Sequence, residues 1–479
     1  MLASSSGGLY PPTMTSTAGG LVPTPPNDGT KFLNGQGAFA VPTGAGVTDA
    51  ASVTYTPAGA GAIPTTVKAD LDYMPKLTNW LPSGYVTDGS VDYTTQIQAC
   101  LTANAGKPIF VPPFAYQLSS QRTIPAGTSL YCPAVQMDPN VNASPLVSGA
   151  RFVTNSALFN FFKMSARTSL DGISFDSGTN TPTITGGLVI EIADVAGVIL
   201  NNININRAFR AISVVNAAGY YNGVFVNNLA IKNYKDHGIF LSNAVGFFVN
   251  KFYLINNSIY TSGNTAIGLY EGTATADFCQ GTLYGGGAGV VGSTSTPTTP
   301  PYCGQDWHFA AVDIDSFVGH GVNLSDAVDV TFDSGCWIGS NGGAGVNLTG
   351  GGDGYMFSDS TICQNYLSGG IINTTSGGVS FENNNIYSNN NQNIAGAGGL
   401  LFKAGQKDFS VVNNRIHNST FAYPGGGAIY VGHQRYAVIV ETGASDRYII
   451  SKNLKTTANA TGAIFDGGTG ANKDVSNNY

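Results

Sequence analysis

The chain has 479 residues, with 21 Lys and Arg against 28 Asp and Glu, so its formal net charge at neutral pH is −7. Charged residues make up 10% of the sequence, whereas an ordinary soluble domain carries about 25%. Hydrophobic residues make up 42%, which is enough to fill a large core and excludes a disordered chain. The acidic balance and the lack of a long apolar run argue against nucleic-acid binding and membrane insertion.

The N-terminal stretch, residues 1–80, is predicted to be an extended arm or linker. Most of it is rich in Pro, Gly, Thr and Ala and contains few large apolar side chains, so it cannot fill a core of its own. Aromatic residues between glycines at positions 29–42 indicate a small structured unit inside the arm. The basic and apolar segments of a secretory signal do not occur at the N-terminus.

A short amphipathic helix is predicted ahead of the main body of the protein. Asp92 is a suitable N-cap residue, and Tyr93, Ile97 and Leu101 fall on one helical face. A strand over residues 108–112 follows. Because its apolar face needs a partner, we expect this helix to cover the end of a large β region.

From residue 124 onward, short strands separated by Gly, Asn, Asp and Ser recur at a regular interval. A first column is centred on isoleucines spaced 24, 24, 24 and 30 residues apart, namely Ile314, Ile338, Ile362, Ile386 and Ile416. A second column follows each of these, as in the Gly-Val-Asn-Leu run at 345–348. A third column precedes them, through Phe332, Phe357, Phe381 and Val411. Three short strands per period indicate a solenoid β-helix, whereas a β-sandwich would give no reason for the fixed interval.

In such a solenoid the coils stack about 4.8 Å apart, so equivalent residues form ladders along the axis. Corner asparagines such as Asn383 and Asn413 tolerate tight-turn backbone conformations and can hydrogen-bond between coils. The repeat region is long enough for roughly 14 coils. The predicted organisation is the arm over 1–80, a capping helix with the first strands over 81–123, and the parallel β-helix over 124–479.

The six cysteines form no CxxC pair, so we predict neither a metal site nor a cofactor. Most of them are expected to be buried free thiols. The repeat could also bring Cys279 near Cys303, or Cys336 near Cys363, so a disulfide in either pair stays open.

Several stretches resemble the pectate-lyase-like β-helix of bacteriophage tailspikes and tail fibres. The resemblance lies in Asp88–Asp92 with the helix after it, 108–113, 319–327, 334–343 and 459–470, and more weakly in the aromatic stretch 32–39. It implies an all-β fold, a right-handed parallel β-helix with three short strands per coil, a short N-terminal capping helix and an extended N-terminal arm.

The resemblance also implies a function. Such a protein would be a homotrimer that attaches through its arm to the phage tail, baseplate or an adaptor protein and recognises a bacterial surface polysaccharide, either capsule or lipopolysaccharide. It would be made in the host cytoplasm, belong to the virion and act at the bacterial surface, with or without depolymerase activity as a hydrolase or lyase. A non-catalytic fibre or adhesin and a cellular pectinase-like enzyme are the alternatives, the second disfavoured by the missing secretory signal.

The leading candidate site combines acids and aromatic residues on one outer face. Asp313 and Asp315 flank the inward Ile314, so their Cα atoms should lie about 7 Å apart on the outside. The residues predicted to bind substrate beside them are Trp337, Tyr387, Arg415 and His417. Aromatic rings stack on sugars, and paired carboxyls support retaining hydrolysis at about 5–5.5 Å or inverting hydrolysis at about 6.5–9.5 Å. Solvated acids at a coil flank are the alternative.

Other residues are candidates with structural alternatives. Asp333 and Glu382 lie two coils, or about 10 Å, apart in the third column and are either catalytic acids or polar decoration of a corner. Trp307 ends a long insertion and is either a wall of the substrate site or a core residue. His320, between two glycines, resembles a polygalacturonase motif, but the accompanying motifs are missing and a turn histidine explains it.

Overall fold

The computed structural model divides the chain into two units, Met1–Met74 and Pro75–Tyr479. The residues it describes are 32–33, 39–40, 53–55, 65–66, 68, 75–133, 149–158, 160–176, 184–217, 220–256, 263–293, 304–422, 429–454 and 459–479. In the first unit these form two antiparallel pairs, Phe32–Leu33 with Phe39–Ala40 and Thr54–Tyr55 with Thr65–Thr66. Residues 75–80 of the predicted arm belong to the second unit, and most of the remaining arm lies outside the described residues. The attachment role of the arm stays a prediction.

The second unit begins with a 3₁₀ turn, Leu77–Trp80, and an α-helix, Thr94–Ala103. Tyr93, Ile97 and Leu101 are buried, as the helical pattern predicts. The N-cap residue is Tyr93 rather than Asp92. Asp92 instead closes the turn before the helix, because its carboxylate accepts a hydrogen bond from the Thr94 backbone N at 2.9 Å.

The main body is a parallel solenoid with three faces, numbered here as the sequence columns are. Among the described residues the second face has 13 parallel strands, close to the roughly 14 coils expected. These strands are Arg122–Ile124, Phe162–Met164, Leu188–Ile192, Arg210–Val215, His237–Ser242, Thr265–Tyr270, Ala288–Ser293, Val322–Ser325, Val346–Gly350, Gly370–Thr374, Leu400–Phe402, Tyr436–Gly443 and Gly462–Gly468.

The third and first faces form one sheet, with 22 strands among the described residues. The third face alone holds Pro108–Phe110, Ser129–Tyr131, Ser169–Asp171, Ala327–Asp333, Asp353–Ser358, Val379–Glu382, Lys407–Val412, Asp446–Ser451 and Lys473–Ser476. The first face alone holds Asp88–Asp92, Ala115–Gln117, Ala150–Val153, Ile173–Asp176, Trp337–Gly339, Thr361–Cys363, Asn385–Tyr387 and Arg415–His417. Five long strands cross both faces: Ile199–Asn206, Tyr221–Lys232, Val245–Ile255, Thr273–Tyr284 and Gly304–Asp315. Outside this sheet, Thr420–Ala422 pairs antiparallel with Ile429–Val431.

The register confirms that residues one repeat apart are neighbours. Ile338 is the direct strand partner of Ile362, and Phe332 is the partner of Phe357. Inside the third face the phenylalanine rings form a stack with centroid distances of 4.5–5.2 Å, through Phe278, Phe309, Phe332, Phe357 and Phe381. The core is therefore a set of ladders of like side chains, and each coil buries its apolar residues against the coils above and below.

A left-handed residue turns the chain from the third face to the first face in successive coils. These residues are Asn202, Asn228, Lys251, Gln280, Ala311, Ser334, Asp359, Asn383, Asn413, Lys452 and Asn477. The prediction that Asn383 and Asn413 adopt turn conformations is confirmed. The hydrogen bond between these two coils belongs to the next residue in each, because Asn384 Nδ2 donates to Asn414 Oδ1 at 3.0 Å.

Candidate functional site

The first face brings together six of the residues predicted to form a site. Asp313 and Asp315 lie on either side of the buried Ile314, and Asp313 pairs in register with Trp337. One outward ladder runs through Thr282, Asp313, Trp337, Thr361, Asn385 and Arg415, and its neighbour through Tyr284, Asp315, Gly339, Cys363, Tyr387 and His417. Two acids, three aromatic rings and a cation therefore share one surface, as the column alignment predicts.

Both acids of this surface hold their protons more tightly than a solvated aspartic acid. Burial raises the pKa of Asp313, the charge of Asp315 raises it further, and a hydrogen bond with Thr282 opposes both. Burial also raises the pKa of Asp315, against hydrogen bonds with Ser340 and Ser316. A carboxyl with a raised pKa is suited to donate a proton, and its ionised neighbour can accept one.

Aromatic rings lie beside these acids along the axis. The indole of Trp337 covers Gly339, where an added Cβ would lie 2.5 Å from the Trp337 Nε1 atom. Two coils further on, the rings of Tyr387 and His417 stack with centroids 5.6 Å apart and planes within 16°. Glycine at position 339 is therefore what allows the indole to lie flat against the sheet, next to the ladder that contains Asp315.

Trp307 is part of the core, which settles the choice left open by the sequence. Its side chain is 1% exposed, and its Nε1 donates to the Thr273 carbonyl oxygen at 2.9 Å. The ring points inward because Trp307 pairs with Val330, which is also buried. Its indole therefore does not reach the outer surface on which Trp337 lies.

Asp333 and Glu382 occupy a different face from Asp313 and Asp315. Both point outward from the third face, separated in register by Ser358. The exposed Glu382 accepts a hydrogen bond from the Ser380 hydroxyl at 2.7 Å. Asp333 lies 3.1 Å from His308 Nε2. The four predicted acids therefore lie as two pairs on different faces and do not form one site. A role for Asp333 and Glu382 in catalysis stays a prediction.

A polar cluster on the second face was not predicted as a site. The Arg210 guanidinium hydrogen-bonds Asp236 and lies 3.9 Å from the centre of the Phe240 ring. His237 bridges the cluster, with Nδ1 3.1 Å from Asp236 Oδ2 and Nε2 2.8 Å from the Tyr270 hydroxyl. The signal for it in the sequence is the Asp-His-Gly triplet at 236–238, since Arg210 and Tyr270 come from the neighbouring coils.

The polar and charged groups of this cluster form ion pairs and hydrogen bonds with one another. Burial disfavours ionisation of Asp236, but the hydrogen bonds and charges of His237 and Arg210 outweigh it and lower its pKa to about 2. Burial raises the pKa of the Tyr270 phenol to about 12. Gly268 makes room for the pair above it, because an added Cβ would lie 2.4 Å from Tyr270 and 2.6 Å from His237. The cluster therefore ties together three coils of the second face.

His320 behaves as a turn residue. Its Nδ1 accepts a hydrogen bond from the Ala344 backbone N at 3.0 Å in the next coil. Burial lowers the pKa of this imidazole, so the neutral ring is favoured. The resemblance of its flanking glycines to a catalytic motif therefore has a structural explanation.

The cysteines that the structure describes are free thiols: Cys100, Cys132, Cys279, Cys336 and Cys363. All of these except Cys279 are buried, which agrees with the predicted thiols and leaves Cys336 and Cys363 without a mutual disulfide. Cys303 lies outside the described residues, whereas Cys279, the partner considered for it, is a free thiol. Within the described part of the chain, no group of three His, Cys, Asp or Glu residues is arranged to hold a metal ion, and no helix is long and apolar enough to cross a membrane.

Comparison with known proteins bears on the fold. The family described as "Right handed beta helix region" matches residues 302–479. The structure is similar to the A-module of the mannuronan C-5 epimerase AlgE6 of Azotobacter vinelandii, with 14% identity, a TM-score of 0.56, and coverage of 84% of this chain and 98% of the module. The protein is therefore a right-handed parallel β-helix, which confirms the predicted fold class.

Two further solved structures are similar at lower TM-scores. The AlgE4 A-module of the same organism is 12% identical, with a TM-score of 0.49 and coverage of 84% of this chain and 99% of that one. A tailspike protein of the Escherichia coli bacteriophage HK620 is 13% identical, with a TM-score of 0.47 and coverage of 87% and 71%. No curated protein matches the sequence.

Proposed function

We propose that the protein binds a polysaccharide along the outer surface of its first face, between Thr282 and His417. The observation that carries the proposal is the pair of acids with raised pKa, the exposed Asp313 and the partly buried Asp315, set beside Trp337 and the stacked rings of Tyr387 and His417. A sugar chain lying along the axis would stack on the rings and hydrogen-bond to the carboxyls. The mannuronan epimerase, whose name gives a polysaccharide as its substrate, is a precedent on the same fold.

Cleavage of the bound chain is a separate part of the proposal. In it, one carboxyl of the Asp313 and Asp315 pair is protonated and transfers its proton to the glycosidic oxygen as the bond to the sugar breaks. The other is ionised and removes a proton from the water that attacks the sugar carbon. Flanking positions of one strand place their Cα atoms about 7 Å apart, a spacing from which the two carboxyls can reach the separation of retaining or of inverting hydrolases.

The biological setting that we propose is a tailspike-type receptor-binding protein of a bacteriophage. Its support is the sequence resemblance in the helix, the first strands and the coils, together with the β-helix fold. In this setting the protein is a homotrimer in the virion, joined to the tail through its N-terminal residues, and it recognises capsule or lipopolysaccharide during host attachment.

The test is incubation of the purified protein with capsule and lipopolysaccharide from a panel of bacterial strains. New reducing ends indicate a hydrolase, absorbance from unsaturated uronate indicates a lyase, and binding without either indicates an adhesin. The double variant Asp313→Asn/Asp315→Asn should abolish hydrolysis, and Trp337→Ala should weaken binding. Asp474→Asn, at an exposed acid on the third face, is the matched control. Full turnover by the double variant would contradict the catalytic assignment, and full binding by Trp337→Ala would contradict the binding surface.

A further inference from the structure

The third face carries an open groove that shares no residue with the first-face site. It encloses about 450 Å³ and is lined mainly by Phe225, Phe248, Asn227, Asn250, Asp277 and Cys279. These side chains come from three successive coils, on the strands Tyr221–Lys232, Val245–Ile255 and Thr273–Tyr284. A groove of this size that combines apolar walls with a few polar groups has the character of a small-ligand site.

The floor of the groove at one end is an aromatic platform. Phe225 and Phe248 are direct strand partners, and their rings stack with centroids 5.1 Å apart and planes within 15°. Phe225 nevertheless leaves 50% of its surface exposed. Large aromatic rings held side by side and open to water favour a flat apolar ligand surface, such as the face of a sugar ring.

The polar groups of the groove are hydrogen-bonding amides and a carboxylate. Asn227 and Asn250 point from neighbouring coils and approach each other at 3.4 Å. Asp277, one coil further on, lies 3.4 Å from His308 Nδ1, and the other ring nitrogen of His308 lies 3.1 Å from Asp333. The Asp277 carboxylate thus lies beside an imidazole that also contacts a second carboxylate, and all three side chains lie on the outer side of the sheet.

The charge of the groove limits what it can bind. Its lining, as far as the described residues form it, contains the carboxylate of Asp277 and neither lysine nor arginine. A uronate would place its own carboxylate against Asp277, whereas the hydroxyls of a neutral sugar or the ammonium of an amino sugar would donate to it. The amides of Asn227 and Asn250 add donors and acceptors that match sugar hydroxyls.

We infer that this groove is a second glycan-binding site, specific for a neutral or amino hexose unit that stacks on Phe225 and Phe248 and donates hydroxyl hydrogens to Asp277. The site takes the same broad class of ligand as the proposed function but uses different residues, so either assignment can fail alone. In this role Asp333 is a positioning residue, which acts on Asp277 through His308.

The test is calorimetric titration of the full-length protein with three defined hexasaccharides: maltohexaose, the chitosan hexamer and the oligogalacturonate hexamer. At least one of the first two should bind, and Phe225→Ala/Phe248→Ala should weaken that binding at least about tenfold. One variant should keep it: Ile449→Ala, at a residue 46% exposed on the same outward ladder. The inference is overturned if neither neutral nor amino hexamer binds, if the uronate binds more tightly, or if the phenylalanine variant binds normally.

A second measurement needs no variant. Cys279 lines the groove and is partly exposed, whereas Cys100, Cys132, Cys336 and Cys363 are buried. A hexamer bound in the groove should slow alkylation of Cys279 by iodoacetamide several-fold, as followed by mass spectrometry of the Cys279 peptide. Equal alkylation with and without saturating hexamer would place the sugar elsewhere and overturn the inference.

Discussion

The coils before residue 293 and those after residue 304 build the same three faces by different means. In the later coils a buried side-chain amide ladder runs through Asn341, Asn365, Asn389, Gln434 and Asn459, each donating to the next at 2.9 Å. In the earlier coils, buried asparagines make contacts of other kinds, such as the pair Asn216 and Asn222 and the bond from Asn256 to the Tyr234 carbonyl oxygen of the preceding coil. The later coils therefore share one hydrogen-bonding arrangement, whereas the arrangement differs among the earlier coils.

The ladder does not depend on a constant coil length. Its successive members lie 24, 24, 45 and 25 residues apart, so each later coil returns an amide to the same height whatever its length. The earlier coils differ in length, and four of the five long strands that cross a corner lie there. These coils compensate with pairs and clusters, of which Arg210, Asp236, His237 and Tyr270 form the largest one described above. Four variants test this comparison.

The largest effect is expected where the stacked rings are interrupted. Phe332→Ala removes a fully buried ring that stacks on Phe309 and Phe357, so the free energy of unfolding should fall by about 3–5 kcal/mol. Val226→Ala, at an inward position of the same face in an early coil, removes fewer buried atoms and should cost less. Urea unfolding followed by circular dichroism measures both, and equal losses would show that the stack adds nothing beyond ordinary burial.

The amide ladder should rank next. Asn365→Ala removes the bond that Asn365 accepts from the Asn341 amide and the bonds that it donates to Asn389 and to the Ile338 carbonyl oxygen, at a cost of about 2–4 kcal/mol. Asn204 is the matched control, because it is equally buried but both of its side-chain polar atoms lack a partner among the described residues. Asn204→Ala should therefore leave the free energy of unfolding unchanged or raise it. A comparable loss in both variants would remove the distinction between a ladder and a merely buried amide.

The contribution of the early-coil polar cluster to the free energy of unfolding should depend on pH in the acid range. The pKa of Asp236 is lowered to about 2, so its carboxylate stabilises the fold above its ordinary pKa near 4 and loses that contribution as the pH falls toward 2. Asp236→Asn should cost about 1–2 kcal/mol at pH 7 and less as the pH approaches 2. Thermal unfolding of wild type and variant between pH 7 and 2.5 measures the difference. A gap that stays constant over this range would contradict the ionised role of Asp236.

The smallest effect is expected at the first-face acids, and it has the opposite sign. Burial raises the pKa of Asp313 and Asp315, so their ionised forms destabilise the fold above the raised pKa, and the penalty disappears as the pH falls through it. Asp315→Asn should therefore raise the melting temperature slightly at pH 7, whereas the exposed control Asp474→Asn should not. A lower melting temperature for Asp315→Asn would mean that its hydrogen bonds with Ser316 and Ser340 outweigh burial.

The fold is predictable from the sequence because Ile338, Ile362 and Ile386 recur at a constant interval of 24 residues in the later coils. Alternation within a strand then places Asp313, Asp315 and Trp337 on the outer surface. The same reasoning does not predict whether Trp307 points inward or outward, because the insertion before it interrupts the alternation of inward and outward residues. Asp333 and Glu382 lie on the third face because they belong to the third column of the repeat, as the sequence predicts.

Two clusters escaped prediction for a common reason. The rings of Phe225 and Phe248, and the group formed by Arg210, His237 and Tyr270, join residues from coils of unequal length. Without a constant interval, the register between coils cannot be read from spacing, so residues 23 to 33 positions apart are not recognised as neighbours. Only the paired strands reveal these contacts.

The directionality of the amide ladder has a consequence for how such a protein can change length. Every donor from Asn341 to Gln434 points the same way along the axis, so the ladder is polar and each member has the same incoming and outgoing bond. Excising the 24 residues 342–365 would join Asn341 to the partner that Asn365 now has, and duplicating them would insert one more identical step. Whole coils can therefore be added to the later half or removed from it while the hydrogen bonds of the ladder are kept. The number of coils in that half is thus free to change.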